Sequence, residues 1–152
     1  MKFRYRRYKA RSSSALRGAI VARPEIPVIV IGPSGNRSLL ALVDTGADLT
    51  MLPRSVAGLV GAPVDDTIRW PVGGFAGEVV EASPGDVELE ISDGLSFHRW
   101  RATVAFVDYP AGAEESTILG HAGFLDFFRV LFDGPAGELE ILSTPAFGGT
   151  SG

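Results

Sequence analysis

Residues 42–48 read Leu42-Val43-Asp44-Thr45-Gly46-Ala47-Asp48, and this stretch decides how the rest of the chain is interpreted. Two apolar residues precede an aspartate, and two residues later a glycine permits a sharp turn. We therefore place Asp44 at the end of a buried strand, in a loop with exposed backbone amides. A simpler interpretation also exists, because an aspartate in a turn often accepts hydrogen bonds from neighbouring amides. Asp-Thr-Gly alone does not separate a catalytic loop from an ordinary turn.

The sequence around this loop indicates short strands joined by turns. Apolar runs at 27–31 and 39–43 flank turn residues and predict a hairpin. Apolar residues alternate with glutamate over 87–91, as in a half-buried strand, and residues 129–133 and 138–142 predict a closing hairpin. No segment is long enough for a helical crossover between parallel strands. We therefore predict an all-β fold, with a small closed or partly closed barrel favoured over a parallel sheet.

Three further features complete the predicted architecture. Residues 70–80 predict a second hairpin, whose tip is rich in glycine. The short apolar segment Ile118-Leu119-Gly120 lies well downstream of the Asp-Thr-Gly sequence. Residues 123–128 are the strongest helix candidate, and residues 55–60 predict a single helical turn.

The composition narrows the possible chemistry. The 152 residues suffice for one domain, and no apolar run approaches the roughly 20 residues of a membrane helix. The chain has no cysteine, which excludes disulfides, zinc–thiolate sites and cysteine nucleophiles. Its two histidines, His98 and His121, cannot form a three-histidine metal site, and the chain lacks the Gly-x-Ser-x-Gly sequence of serine hydrolases. We predict no metal and no cofactor.

Charge is divided unevenly along the chain. The net charge is -4, yet residues 1–17 hold half of the 14 cationic residues and no acidic residue. We predict a basic, flexible arm over 1–22, a folded domain over 23–145 and a flexible tail over 146–152. The arm is either a solvated tail or a site for an anionic partner, such as nucleic acid or a membrane surface. Because neither a secretory signal nor a membrane segment is recognisable, we expect a cytoplasmic protein.

The order of three motifs resembles the retropepsins, the retroviral-type aspartic proteases with cellular and bacterial relatives. The family pattern is two apolar residues before Asp-Thr/Ser-Gly-Ala, then a flap hairpin, then an apolar-apolar-Gly segment that leads into a helix. Here these motifs are residues 42–48, 72–77 and 118–128, and the resemblance extends over about 26–143. Residues 123–133 look most like the bacterial and cellular branch. The resemblance implies a small closed barrel with a flap hairpin and one short C-terminal helix.

The resemblance also implies an aspartic endopeptidase. Such enzymes hold two carboxylates a few ångströms apart with one shared proton, so that one activates water while the other acts as an acid. This chain has one Asp-Thr-Gly sequence. We therefore expect a homodimer in which the Asp44 residues of two chains face each other and cut an extended polypeptide. The alternative is a non-catalytic dimeric module of the same fold that binds peptides or acts as a scaffold.

Individual roles follow from the same resemblance. Asp44, Thr45 and Gly46 would form the catalytic loop, with Thr45 bonding across the dimer axis. The substrate-binding residues that the resemblance implies are Ala47, Asp48, Val72, Gly73, Gly74, Phe75, Ile118 and Leu119. Many members carry arginine after the apolar-apolar-Gly segment, whereas this chain has His121. This histidine is either a simple helix-start residue or a source of pH dependence in the dimer, together with Asp48.

Overall fold

The computed structural model describes residues 1–9, 20–73 and 79–152. These residues form strands and one short helix, which confirms the predicted all-β class. The strands are β1 (Lys2–Arg4), β2 (Arg6–Lys9), β3 (Ile20–Arg23), β4 (Glu25–Gly32), β5 (Gly35–Val43), β6 (Met51–Pro53), β7 (Trp70–Gly73), β8 (Val79–Ser92), β9 (Phe97–Asp108), β10 (Ile118–Leu119), β11 (Phe128–Asp133), β12 (Glu138–Ser143) and β13 (Thr150–Ser151), and the helix is α1 (Arg54–Val60). None of the described helical structure is long or apolar enough to cross a lipid bilayer.

Six strands form a closed ring of hydrogen-bonded pairs. Their order is β4, β5, β10, β6, β9 and β8, and β8 pairs back to β4. The longest ladder is the antiparallel pair β8–β9, which runs from Glu81 opposite Asp108 to Ser92 opposite Phe97. Two short pairs in the ring, β5–β10 and β6–β9, are parallel. At the margins, β7 pairs with β8 and β13 pairs with β9.

The ring encloses an apolar core because its strands alternate as the sequence indicates. On β4 the side chains of Ile26, Val28 and Val30 are fully buried, since successive side chains on a strand point to opposite faces. They belong to one core cluster with Leu89 and Phe106. Burying a side chain of this size stabilises the folded state by about 1.5–3 kcal/mol. The core therefore holds the strands in fixed register.

A smaller apolar cluster lies apart from this core. Its buried members are Ala82, Ala105 and Val107, and partly buried apolar residues of β6, β7 and β8 pack against them. Part of this cluster, including Val107 and Met51, lines the cleft described below.

Of residues 123–128, predicted as a helix, 123–127 form turns instead and Phe128 is the first residue of β11. Gly123 has a φ of +92°, which does not continue a right-handed helix. Phe128 already pairs with Ser143 on β12. The C-terminal position predicted for the short helix is thus wrong. The helix of the described residues is α1, at the place where the sequence predicted a single turn over 55–60.

Both ends of the chain contain strands, within the segments predicted as a flexible arm and a flexible tail. β1 pairs with β12, Phe3 is buried, and the amino group of Met1 donates to the carbonyl oxygen of Ile141 at 2.9 Å. β13 pairs with β9, and the N–H of Gly152 donates to the carbonyl oxygen of Phe97 at 3.2 Å. These pairings join residues that are distant in sequence, so local composition does not reveal them. Residues 10–19 of the predicted arm lie outside the described residues.

Candidate active site

The loop of residues 44–48, here called the aspartate loop, follows directly on the last residue of β5. The parallel strand β10 fixes its start, because Val43 lies opposite Leu119 in the ladder. The N–H of Asp44 then donates to the carbonyl oxygen of Leu119 at 3.1 Å. The aspartate is therefore attached to two strands of the ring, as the sequence predicts for a strand-end residue.

The carboxylate of Asp44 stabilises its own turn. Its Oδ1 accepts the N–H of Gly46 at 2.8 Å, and its backbone carbonyl oxygen accepts the N–H of Ala47 at 3.3 Å. This is the turn-capping arrangement that the simpler interpretation of the sequence describes. Within the described residues, Oδ2 receives no hydrogen bond. One carboxylate oxygen of Asp44 thus fixes the loop.

Residues 118–122, here called the bracing segment, hold the aspartate loop through backbone hydrogen bonds. The N–H of His121 donates to the carbonyl oxygen of Ala47, and the N–H of Ala122 donates to that of Asp48, both at 2.9 Å. The carbonyl oxygen of Ala122 in turn accepts the N–H of the buried Thr50 at 2.9 Å. The loop is consequently supported along both of its ends.

Gly120 permits this close approach of the two segments. A Cβ at this position would lie 2.3 Å from the carbonyl oxygen of Leu49 and 2.7 Å from that of Ala47. Real Cβ atoms do not come so near to backbone oxygens, so any larger residue would push the loop away. This is a physical reason for a glycine at the end of the apolar-apolar-Gly motif.

His121 adds a side-chain contact to the same loop. Its Nε2 lies 3.0 Å from the carbonyl oxygen of Thr45. Because a carbonyl oxygen can only accept, Nε2 carries the proton and donates it. The imidazole is exposed. It contacts Thr45, a residue of the aspartate loop that the backbone hydrogen bonds of the bracing segment do not reach.

A cleft of about 730 Å³ opens beside the aspartate loop. The ends of β7 and β8 form one side of it, and the segment that follows β9 forms another. The lining residues are Leu42, Asp44, Gly46, Ala47, Met51, Val72, Gly73, Val80, Val107, Tyr109, Pro110, Ala113, Glu114, Ser116 and Ile118. Most of this surface is apolar or uncharged, as is typical of a site that binds an extended peptide or a small molecule.

The structure brings some of the predicted site residues together and not others. Those that line the cleft are Asp44, Gly46, Ala47, Val72, Gly73 and Ile118. Thr45 and Asp48 lie in the aspartate loop but are exposed, and Leu119 is fully buried in the core. Gly74 and Phe75, predicted for the flap, lie outside the described residues. The two strands of that hairpin are described, and they pair up to Gly73 opposite Val79.

Tyr109 and residues 110–116 form a wall of the cleft that was not predicted from the sequence. The phenol of Tyr109 donates to the carbonyl oxygen of Ser116 at 3.0 Å, and burial raises the pKa of this tyrosine above its usual value. A loop of small, proline and charged residues has no periodic pattern that would have indicated this position. The one available signal was its place directly after a buried strand.

The polar groups of the cleft are therefore carboxylates, backbone groups and hydroxyls. Within the described parts of the chain, no group of three or more histidine, aspartate or glutamate side chains is arranged to hold a metal ion. A carboxylate beside an apolar cleft can accept a proton from water, provided that a second acid is available to protonate the leaving group.

Comparison with known proteins finds similarity to solved structures alone. No family model and no curated protein matches the chain. Among solved structures, the EIAV protease complexed with the inhibitor HBY-793 is similar, at 24% sequence identity and a TM-score of 0.44. The similarity covers 65% of this chain and 82% of that one.

Proposed function

We propose that this chain is one half of a homodimeric aspartic endopeptidase. The observation that carries the proposal is the position of Asp44. Its carboxylate stands at a strand end, in a loop fixed by the bracing segment, and lines a largely apolar cleft. An extended polypeptide would lie in this cleft as an added strand, with β7 and β8 closing over it.

The proposed chemistry needs a second carboxylate. In the dimer, Asp44 of each chain lies near the two-fold axis, and the pair shares one proton because two adjacent carboxylates do not both ionise readily. The ionised carboxylate takes a proton from water, whose oxygen attacks the scissile carbonyl carbon, while the protonated carboxylate donates its proton to the carbonyl oxygen. The carboxylate that took up the proton of the water then donates it to the amide nitrogen, the C–N bond breaks, and the carboxylic acid and the amine leave. No covalent intermediate forms.

The remaining site residues support this reaction. Thr45 of the two chains would bond across the axis, where its exposed side chain can reach a second copy. Ala47 and Asp48 would lie along the substrate, with Asp48 bonding the main chain of the substrate or a neighbouring loop. Ile118 forms part of the cleft wall, and Leu119 supports the aspartate loop from the core.

Cleavage of a peptide library between pH 3 and 8 tests the proposal, with the wild type compared with Asp44→Asn. We expect the wild type to cut and the variant to lose at least about 1,000-fold in kcat/KM, since one catalytic carboxylate is removed. Asp126→Asn is the matched control, because Asp126 is exposed and does not line the cleft. If neither protein cuts while both stay folded and dimeric, the alternative of a non-catalytic peptide-binding module replaces the proposal.

A second interaction is proposed for the basic strand β2, which pairs with β3. Every residue of β2 is exposed, and Arg6, Arg7 and Lys9 make no ion pair within the described residues. We propose that these cations bind an anionic partner, a nucleic acid or a membrane surface. Replacing all three with glutamine should abolish salt-sensitive binding to an oligonucleotide or to anionic vesicles and leave cleavage unchanged. Deleting the arm is a poorer test, because Phe3 belongs to the core.

A further inference from the structure

The loop of residues 110–116, here called the acidic wall, is held in place at both ends. The N–H of Ala113 donates to the carbonyl oxygen of Pro110 at 3.0 Å, and the phenol of Tyr109 donates to that of Ser116 at 3.0 Å. Pro110, Ala113, Glu114 and Ser116 line the cleft. Glu114 is thus carried on a loop with a defined position beside the aspartate loop.

The charge of the cleft is of one sign. Among the described lining residues, Asp44 and Glu114 are acidic, and none is lysine, arginine or histidine. Arg69, a cation near the end of β9, is engaged with Asp66 at 3.4 Å and with Asp108 at 4.0 Å. Within the part of the chain that the structure describes, Glu114 makes no ion pair.

The next residue, Glu115, has different contacts from Glu114. The carboxylate of Glu115 accepts the hydroxyl of Ser55 at 2.9 Å, and Glu115 does not line the cleft. Two adjacent carboxylates therefore face different surroundings, one on the cleft and one on α1. This difference provides a matched control within a single loop.

We propose that Glu114 is a specificity-determining residue, which selects polypeptides with a lysine or arginine side chain near the scissile bond. This inference rests on the proposed function. The aliphatic stem of a lysine or arginine would cover the apolar lining while its charged end reaches the Glu114 carboxylate. The other subsites of the cleft take apolar or uncharged side chains, in keeping with the rest of the lining.

The dimer gives this preference a particular symmetry. A two-fold axis through the paired Asp44 residues repeats every subsite on the other side of the scissile bond. The two copies of Glu114 therefore select basic side chains at two positions, one before the cut and one after it, at equal distances from the bond. A site built within a single chain would show one such position.

Library cleavage by the wild type, Glu114→Gln and Glu115→Gln measures this preference. We expect the wild type to favour lysine or arginine over norleucine by roughly fivefold at each of the two positions, as a partly exposed ion pair allows. Glu114→Gln should lose the preference at both positions, so that it cuts lysine- and norleucine-containing peptides at equal rates. Glu115→Gln should match the wild type. Equal ratios in the wild type and Glu114→Gln would overturn the inference.

A charge reversal and a binding measurement separate this inference from the proposed function. Glu114→Lys should prefer glutamate at the same two positions. If Glu114→Gln loses all cleavage while remaining folded, Glu114 takes part in the chemistry and the specificity role is wrong. If the wild type cuts no peptide, the proposed function fails. The inference is then judged by the affinity of the wild type for lysine- and norleucine-containing peptides, and equal affinities would overturn it.

Discussion

The hydrogen bond between Gly46 and Asp44 stabilises a turn and also orients the carboxylate of the candidate site. Oδ1 of Asp44 is bound by the N–H of Gly46, so the carboxylate is oriented before any substrate arrives. Such pre-orientation is what an acid–base group needs, because a misplaced carboxylate transfers protons poorly. The short sequence Asp-Thr-Gly therefore specifies a local geometry as well as a chemical group.

Gly120→Ala should disturb the same site from the opposite side. The added Cβ would lie 2.3 Å from a backbone oxygen of Leu49, so the aspartate loop or the bracing segment must shift. We expect the free energy of unfolding to fall by about 1–3 kcal/mol, measured by urea denaturation. Gly148→Ala is the control, since its Cβ would meet nothing within 4 Å. Equal stability of the two variants would contradict the close approach described here.

His121→Ala should slow cleavage with little effect on folding. The variant loses the bond from Nε2 to the carbonyl oxygen of Thr45, and His121 is exposed. One such bond contributes about 0.5–1.5 kcal/mol, which corresponds to a decrease of roughly twofold to tenfold in kcat. His121→Gln, which keeps a donor, should recover part of the loss. A changed KM with an unchanged kcat would show that His121 acts on substrate binding instead of on the loop.

Among the elements, β13 depends on aromatic packing around His98. The imidazole lies 5.4 Å from the ring of Phe128 and 5.2 Å from that of Phe147, measured between centroids. Its Nδ1 is 2.6 Å from the hydroxyl oxygen of Ser151 on β13. Burial lowers the pKa of His98 below its usual value. The folded chain therefore favours the neutral imidazole.

Acid should consequently weaken the fold through His98. As the pH falls below about 6.5, the unfolded chain takes up this proton first, so the free energy of unfolding decreases down to the pKa of the folded state. Asp66 and Asp93 have lowered pKa values, and their contributions are lost only below about pH 4. Thermal melting at pH 7 and pH 5.5 should show a larger decrease for the wild type than for His98→Gln. Identical decreases in the two proteins would show that His98 does not cause the loss of stability at pH 5.5.

Some of these strands and turns could be predicted from the sequence, and others could not. The hairpins β4–β5 and β11–β12 and the half-buried strand at 87–91 within β8 follow from apolar runs, alternation and turn residues, which are local signals. The turns at 123–127 could not be predicted, because a short run rich in phenylalanine suits a helix or a strand equally until its partner strand is known. The pairings of β1 and β13 join distant residues and have no local signal.

The candidate site also has parts that could be predicted from the sequence and parts that could not. The Asp-Thr-Gly and apolar-apolar-Gly motifs are each a few residues long, so both can be found in the sequence. Their place in one site was only implied by the resemblance to a family, and the backbone hydrogen bonds between them are seen in the structure. Glu114 lies on a loop without a pattern, and its place on the cleft depends on how β9 and β10 are positioned by the whole ring. Specificity is therefore harder to predict here than chemistry.

At the scale of the whole molecule, the proposed enzyme is an assembly of two chains. Its specific activity should rise with protein concentration and reach a plateau when the dimer is fully formed, because each site needs both Asp44 residues. Sedimentation over the same concentrations should give a dimer curve that coincides with the activity curve. Full activity in samples that sediment as monomers would contradict this expectation.

Activity of mixed dimers tests the shared site most directly. Wild-type and Asp44→Asn chains are mixed in varying proportions, allowed to exchange, and assayed at constant total concentration. If each site uses Asp44 from both chains, activity falls as the square of the wild-type fraction, to roughly a quarter in an equal mixture. A linear fall, to roughly a half, would mean that each chain contains a complete site and would contradict the account.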